Sequence, residues 1–89
     1  MRYIVVDLEM HPLPNKFKLE KNICKCETIE IGAVMLDEEL TEVSEFKRII
    51  KPQYSTKIYP KYEKMTGITT AMVEQGDSFE DAFHSFTQW

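Results

Sequence analysis

The run Tyr3-Ile4-Val5-Val6 leads directly into Asp7-Leu8-Glu9, and no other stretch limits the fold of this chain so closely. Four apolar, largely β-branched residues read as a short buried strand, Tyr3 to Asp7. A strand turns successive side chains to opposite faces, so Asp7 and Glu9 point the same way. Two carboxylates side by side at the end of an apolar strand repel each other and cost stability. A divalent cation removes that cost, because hard oxygen ligands on a rigid strand suit magnesium or manganese. A D-x-E triplet is also compatible with a solvated strand end, so the rest of the sequence has to decide.

Eighty-nine residues make one domain at most, 1–89, near the size where a single core is marginally sufficient. The apolar fraction of 43%, with one Trp, four Tyr and five Phe, argues for a folded chain and against disorder. A net charge of −4 gives no overall basic field, so a polyanion would have to be held locally or through metal. No apolar stretch approaches the ~20 residues of a membrane span, and the N-terminus has no signal-peptide pattern. The expected location is cytoplasmic, with no membrane partner. Cys24 and Cys26 are too close for a disulfide framework and lack the second pair of a zinc site, so they read as reduced thiols.

His11 to Cys26 contains Pro12, Pro14 and the lysines 16, 18, 21 and 25. The prolines exclude a helix start before Asn15, and the stretch reads as a long, basic, mobile loop. A run of charge is ordinarily a solvated surface, although Phe17 among lysines is also a pattern that holds phosphates and stacks a base. In Glu27 to Asp37, residues Ile29, Ile31, Ala33 and Met35 alternate onto one face, a strand signal. Asp37 to Leu40 reads as a hairpin connection. Glu42 to Ile50 is the returning strand, whose apolar residues share a face only with a bulge near Glu45 to Phe46. Tyr62 to Met65 reads as a helical turn stopped by Gly67, and a short helix follows from Thr69 or Thr70 to Glu74. Ser78-Phe79-Glu80-Asp81 has the spacing of a capping box. Phe79, Ala82, Phe83 and Phe86 then form the stripe of an amphipathic helix.

Taken in order, Tyr3-Ile-Val-Val-Asp-Leu-Glu-Met10, Glu27-Thr-Ile-Glu-Ile-Gly-Ala-Val34, Phe46 to Pro52, Met65-Thr-Gly-Ile-Thr69, Met72-Val73 and Ser78 to Phe86 resemble the DEDD superfamily of 3′–5′ exonucleases. The likeness is to its bacterial branch, related to the proofreading subunit of DNA polymerase III and to oligoribonuclease, and it runs from Arg2 to Trp89. It implies an α/β architecture: the N-terminal part of a ribonuclease H-like fold, a three-stranded, mostly antiparallel sheet followed by short helices.

The resemblance further implies two-metal hydrolysis of phosphodiester bonds, magnesium or manganese ions about 3.5–4 Å apart handling the attacking and leaving oxygens. By the same resemblance, Asp7 would bridge the ions and Glu9 would complete the first. Met10 would lie near the sugar of the terminal nucleotide, and Thr66 and Gly67 would line its pocket. The alternative for Thr66 and Gly67 is a plain helix stop. The implied partner is the 3′ end of a single strand.

Two further motifs of the superfamily, an Asp on a later helix and a His followed by an Asp, have no counterpart here. His84 has no Asp after it, and His11 reads as lying in the loop after the first motif; both read as surface or internally satisfied histidines. The expectation is therefore half of an active site, inert as an isolated 89-residue piece. The alternative is a non-catalytic module, truncated or degenerate, binding nucleic acid or a protein partner. With its first strand left as an edge, the isolated chain is expected to self-associate.

Overall fold

The computed structural model describes all 89 residues. Three strands, β1 (Tyr3–Pro12), β2 (Cys26–Leu36) and β3 (Glu42–Ile49), form an antiparallel meander in the order β1-β2-β3. Four helices accompany it: α1 (Lys18–Ile23) between β1 and β2, then α2 (Pro60–Thr66), α3 (Thr70–Glu74) and α4 (Phe79–Gln88).

β1 is longer than its apolar run suggests. Pairing with β2 continues from Tyr3↔Leu36 to Pro12↔Cys26, so Asp7 and Glu9 lie within the strand. The basic segment is also more ordered than a mobile loop. Pro14 starts a turn (Phe17 N–H to Pro14 O, 3.0 Å), and the good helix formers after it make α1. The prolines act only before Asn15, as their chemistry requires. α1 buries none of its residues.

The β2–β3 hairpin closes on Asp37, whose Oδ1 accepts from the N–H groups of Glu39 (2.9 Å) and Thr41 (3.0 Å). The expected bulge near Glu45 to Phe46 is absent there, since Ala33↔Phe46 and Val34↔Glu45 pair regularly. The shift lies nearer the hairpin, between Met35↔Ser44 and Leu36↔Glu42, leaving Val43 over. Phe46 and Ile50 therefore face one side of the sheet and Ile49 the other.

A second shift decides how the sheet is covered. Glu9 pairs with Glu30 and Met10 with Thr28, so Ile29 is an extra residue on β2. A bulge re-aims the side chain that it inserts. Ile31 and Ala33 cluster with Phe46, Ile50 and Ala82, against which Phe86 and Trp89 of the α4 segment pack. Ile29 instead joins Ile58, Ile68 and Val73, with Ile49 and Tyr62 alongside. The expectation that Ile29 shares a face with Ile31 and Ala33 is thus corrected. The sheet has helices on both faces, α4 on one and α2 with α3 on the other. α4 is capped as its sequence indicates, Ser78 Oγ accepting from Asp81 N–H at 3.1 Å.

Candidate functional site

Alternation along β1 fixes where the two carboxylates stand. Asp7 is opposite Gly32 and Glu9 opposite Glu30, and Glu30 is opposite Ile49 on β3. Cross-strand partners share a face, so Asp7 and Glu9 lie on the side covered by α2 and α3. Gly32 has no side chain, which leaves open space beside Asp7. Glu30 is held by Lys47 (3.7 Å), and this pair with Met1–Glu38 accounts for all the ion pairs. Asp7, exposed, and Glu9, half-buried, have no cationic partner in the protein.

The donor chemistry of this pair fits a hard divalent cation: two charged oxygen groups, on a rigid paired strand, unused by any internal ion pair. No group of three or more His, Cys, Asp or Glu side chains converges to hold a metal in these residues. Asp7 and Glu9 alone would supply only part of such an ion's coordination shell.

His11, two residues beyond Glu9 and on its face, is not a loop residue. It lies on β1 and is fully buried. The Tyr59 N–H donates to Nε2 at 3.0 Å, which makes Nε2 the acceptor nitrogen. Nδ1 then carries the proton and donates to Ser55 Oγ at 3.0 Å, and Ser55 in turn donates to the Pro12 carbonyl at 3.2 Å. The ring sits between Tyr59 (4.7 Å) and Tyr62 (5.2 Å). Burial pushes its pKa below the usual histidine value, against a smaller opposing pull from the Pro12 carbonyl and the Glu27 charge. Glu27 is itself engaged, accepting from the N–H groups of Gln53, Tyr54 and Ser55 at 2.7 to 3.3 Å. Nothing in the local sequence marks these long-range partners. Strand parity accounts for the shared face of Asp7, Glu9 and His11, whereas the burial of His11 comes from Ser55, Tyr59 and Tyr62.

The other candidate residues divide between the two faces. Met10 turns its side chain away from the carboxylates: its Sδ accepts from Thr28 Oγ1 at 3.3 Å, and it lines a cavity of about 680 Å³ with Leu13, Ile50 and Phe79 on the α4 side. Only the Met10 backbone stays beside Glu9. Thr66 and Gly67 end α2 on the carboxylate side, where Ile68 packs with Ile29. Thr66 Oγ1 donates to Tyr62 O (2.7 Å) and accepts from Ile68 N–H (3.1 Å). Gly67 has φ 77°, the left-handed conformation that favours glycine. In the basic segment, Phe17 is engaged edge-on by Tyr54 (5.1 Å), with Lys16 Nζ 5.2 Å from its ring centre. His84 is exposed on α4, and Cys24 and Cys26 are free thiols.

A meander with helices on both faces and two free carboxylates on its first strand makes this an α/β domain with an acidic pair at its sheet. The chain belongs to the RNase_T exonuclease family, whose pattern matches residues 4–89. Its fold is similar to that of the nuclease domain of 3′hExo, a DEDDh family member, bound to rAMP (TM-score 0.82, 23% identity, 99% of this chain and 42% of that one). It is also similar to cell-death related nuclease 4, CRN-4 (TM-score 0.78, 19% identity, 99% and 29%). A third similar structure is a 3′-exonuclease in 3′-end specific recognition of a histone mRNA stem-loop (TM-score 0.80, 22% identity, 98% and 37%). The chain thus spans less than half the length of each of these structures. No curated protein matches it. No helix is long and apolar enough to cross a membrane.

Proposed function

We propose that this chain is the N-terminal part of a divalent-metal-dependent exonuclease that removes nucleotides from the 3′ end of a single nucleic-acid strand. The observation that carries this reading is the pair Asp7 and Glu9, on one face of β1 beside Gly32 and unpaired with any cation of the protein, in a chain of the exonuclease family. Asp7 and Glu9 would hold magnesium or manganese, which when bound activates water and offsets charge on the phosphate in such hydrolysis. Thr66 and Gly67 would border the terminal nucleotide, and the backbone at Met10 would approach its sugar. Like the structures above that are bound to rAMP or to an mRNA stem-loop, it would take a nucleotide end as ligand. It would act in the cytoplasm.

The test uses protein from the complete reading frame, a 5′-labelled single strand of RNA or DNA, and manganese or magnesium. The expected product is a ladder shortened from the 3′ end, and Asp7→Asn or Glu9→Gln should reduce its rate by at least about a hundredfold. No shortening with either metal, or an unchanged rate in both variants, overturns the proposal.

A further inference from the structure

We propose that His11 is a positioning residue: through Tyr59 and Tyr62 it sets the distance between the Asp7–Glu9 carboxylates and the Thr66–Gly67 turn, and so governs the grip on a nucleoside monophosphate end. This rests on the function proposed above. Its imidazole joins two pieces of chain otherwise far apart in sequence. On one side it belongs to β1, two residues from Glu9 and on the same face. On the other it receives the N–H of Tyr59, the residue that opens α2, and α2 has no side-chain cap of its own there.

Three further contacts make the joint rigid. Tyr62, one turn into α2, packs against the imidazole at 5.2 Å, and its carbonyl accepts from Thr66 Oγ1 at 2.7 Å. Ser55 fixes the other ring nitrogen and is tied back to β1 through the Pro12 carbonyl. Glu63 Oε2 accepts from Thr70 N–H at 2.8 Å, which joins α2 to α3 behind the turn. A change at His11 is therefore transmitted along a seven-residue helix to Thr66 and Gly67. Both ring nitrogens are used and the ring is fully buried, so His11 has no atom free to touch a substrate.

The experiment measures, by calorimetry on the protein from its complete reading frame, manganese binding and then AMP binding in the presence of manganese. His11→Phe keeps a ring but removes the acceptor for Tyr59 N–H. It should weaken AMP by roughly ten- to a hundredfold while manganese affinity stays within about twofold, since displacement by about 1 Å suffices for such losses. His11→Gln, whose amide oxygen can accept from Tyr59 N–H, should restore AMP binding to near wild type. Equal AMP affinity in His11→Phe and wild type overturns the inference alone. So does a parallel loss of manganese and AMP, which marks a merely structural role. If His11→Phe does not fold, a folded His11→Gln with weak AMP binding still overturns it. Wild-type protein that binds manganese but no AMP removes the proposed function, and this inference with it.

Discussion

Asp7 and Glu9 owe their shared direction to nothing but strand parity, which is why three letters of sequence were enough to put them on one face. Two carboxylates satisfy only a fraction of an octahedral shell, so the 89-residue chain should bind manganese weakly. Calorimetry giving sub-micromolar affinity, or the same affinity after Asp7→Asn, would contradict this. His11 shows what the local sequence hides. Its partners Ser55 and Tyr59 lie 44 and 48 positions away, so no nearby pattern distinguished a buried strand histidine from a loop one. Its lowered pKa has a signed consequence. The fold accepts the neutral ring, so the unfolded chain protonates first as pH falls. Stability should be full above pH 6.5, the ordinary histidine value, and decline as pH drops through it toward the lower folded value. Urea titrations at about pH 7.5 and 5.5 should show a loss that disappears in His11→Gln. At about pH 7.5 His11→Phe should lose about 1–3 kcal/mol, the cost of the Tyr59 N–H left without its acceptor, and the deficit should narrow at about pH 5.5, where only wild type has an imidazole to protonate.

At the scale of the element, the helices after β3 announced themselves by their ends, whereas α1, with no side-chain cap and no buried residue, did not. Ser78 and the Phe79-Ala82-Phe83-Phe86 stripe located α4, and Gly67 located the end of α2. The bulges were less legible, because regular pairing and a one-residue slip differ only in which long-range partner each residue meets. The hairpin near Asp37 absorbs the β3 slip at Val43, where alternation alone placed it at Glu45 to Phe46. Glycines allow a ranked prediction. An alanine Cβ at Gly67 would meet nothing within 4 Å, so Gly67→Ala should cost only the left-handed backbone penalty, about 1 kcal/mol. At Gly76 the same Cβ would fall 2.8 Å from the Ile49 carbonyl oxygen and 2.9 Å from Lys51 N, both backbone. Gly76→Ala should therefore cost more, roughly 1–3 kcal/mol. Midpoints of denaturant unfolding that reverse this order would overturn it.

For the molecule as a whole, β1 is one edge of the sheet and β3 the other. Ile4, Val5, Val6 and Leu8 are each about half exposed on β1, and Phe79 stacks on Phe83 at the surface of α4. An unpaired, β-branched edge with no proline between Tyr3 and His11 invites pairing with another strand. The 89-residue chain on its own is accordingly expected to self-associate, as a two-fold dimer through β1, and sedimentation showing a strict monomer at high concentration would exclude this. Element order was legible at this scale because each apolar run is local. Division of the core between two faces was not, because it depends on the single unpaired residue Ile29.

That residue behaves as an insertion. Without Ile29, Thr28 and Glu30 would be adjacent, and their partners Met10 and Glu9 already are, so every remaining rung of the β1–β2 ladder could close unchanged. Loss of one codon would leave a more regular sheet but remove the isoleucine on which Ile58, Ile68 and Val73 converge. The hairpins would survive while α2 and α3 lost their seat, separating sheet formation from the cover over the carboxylate face.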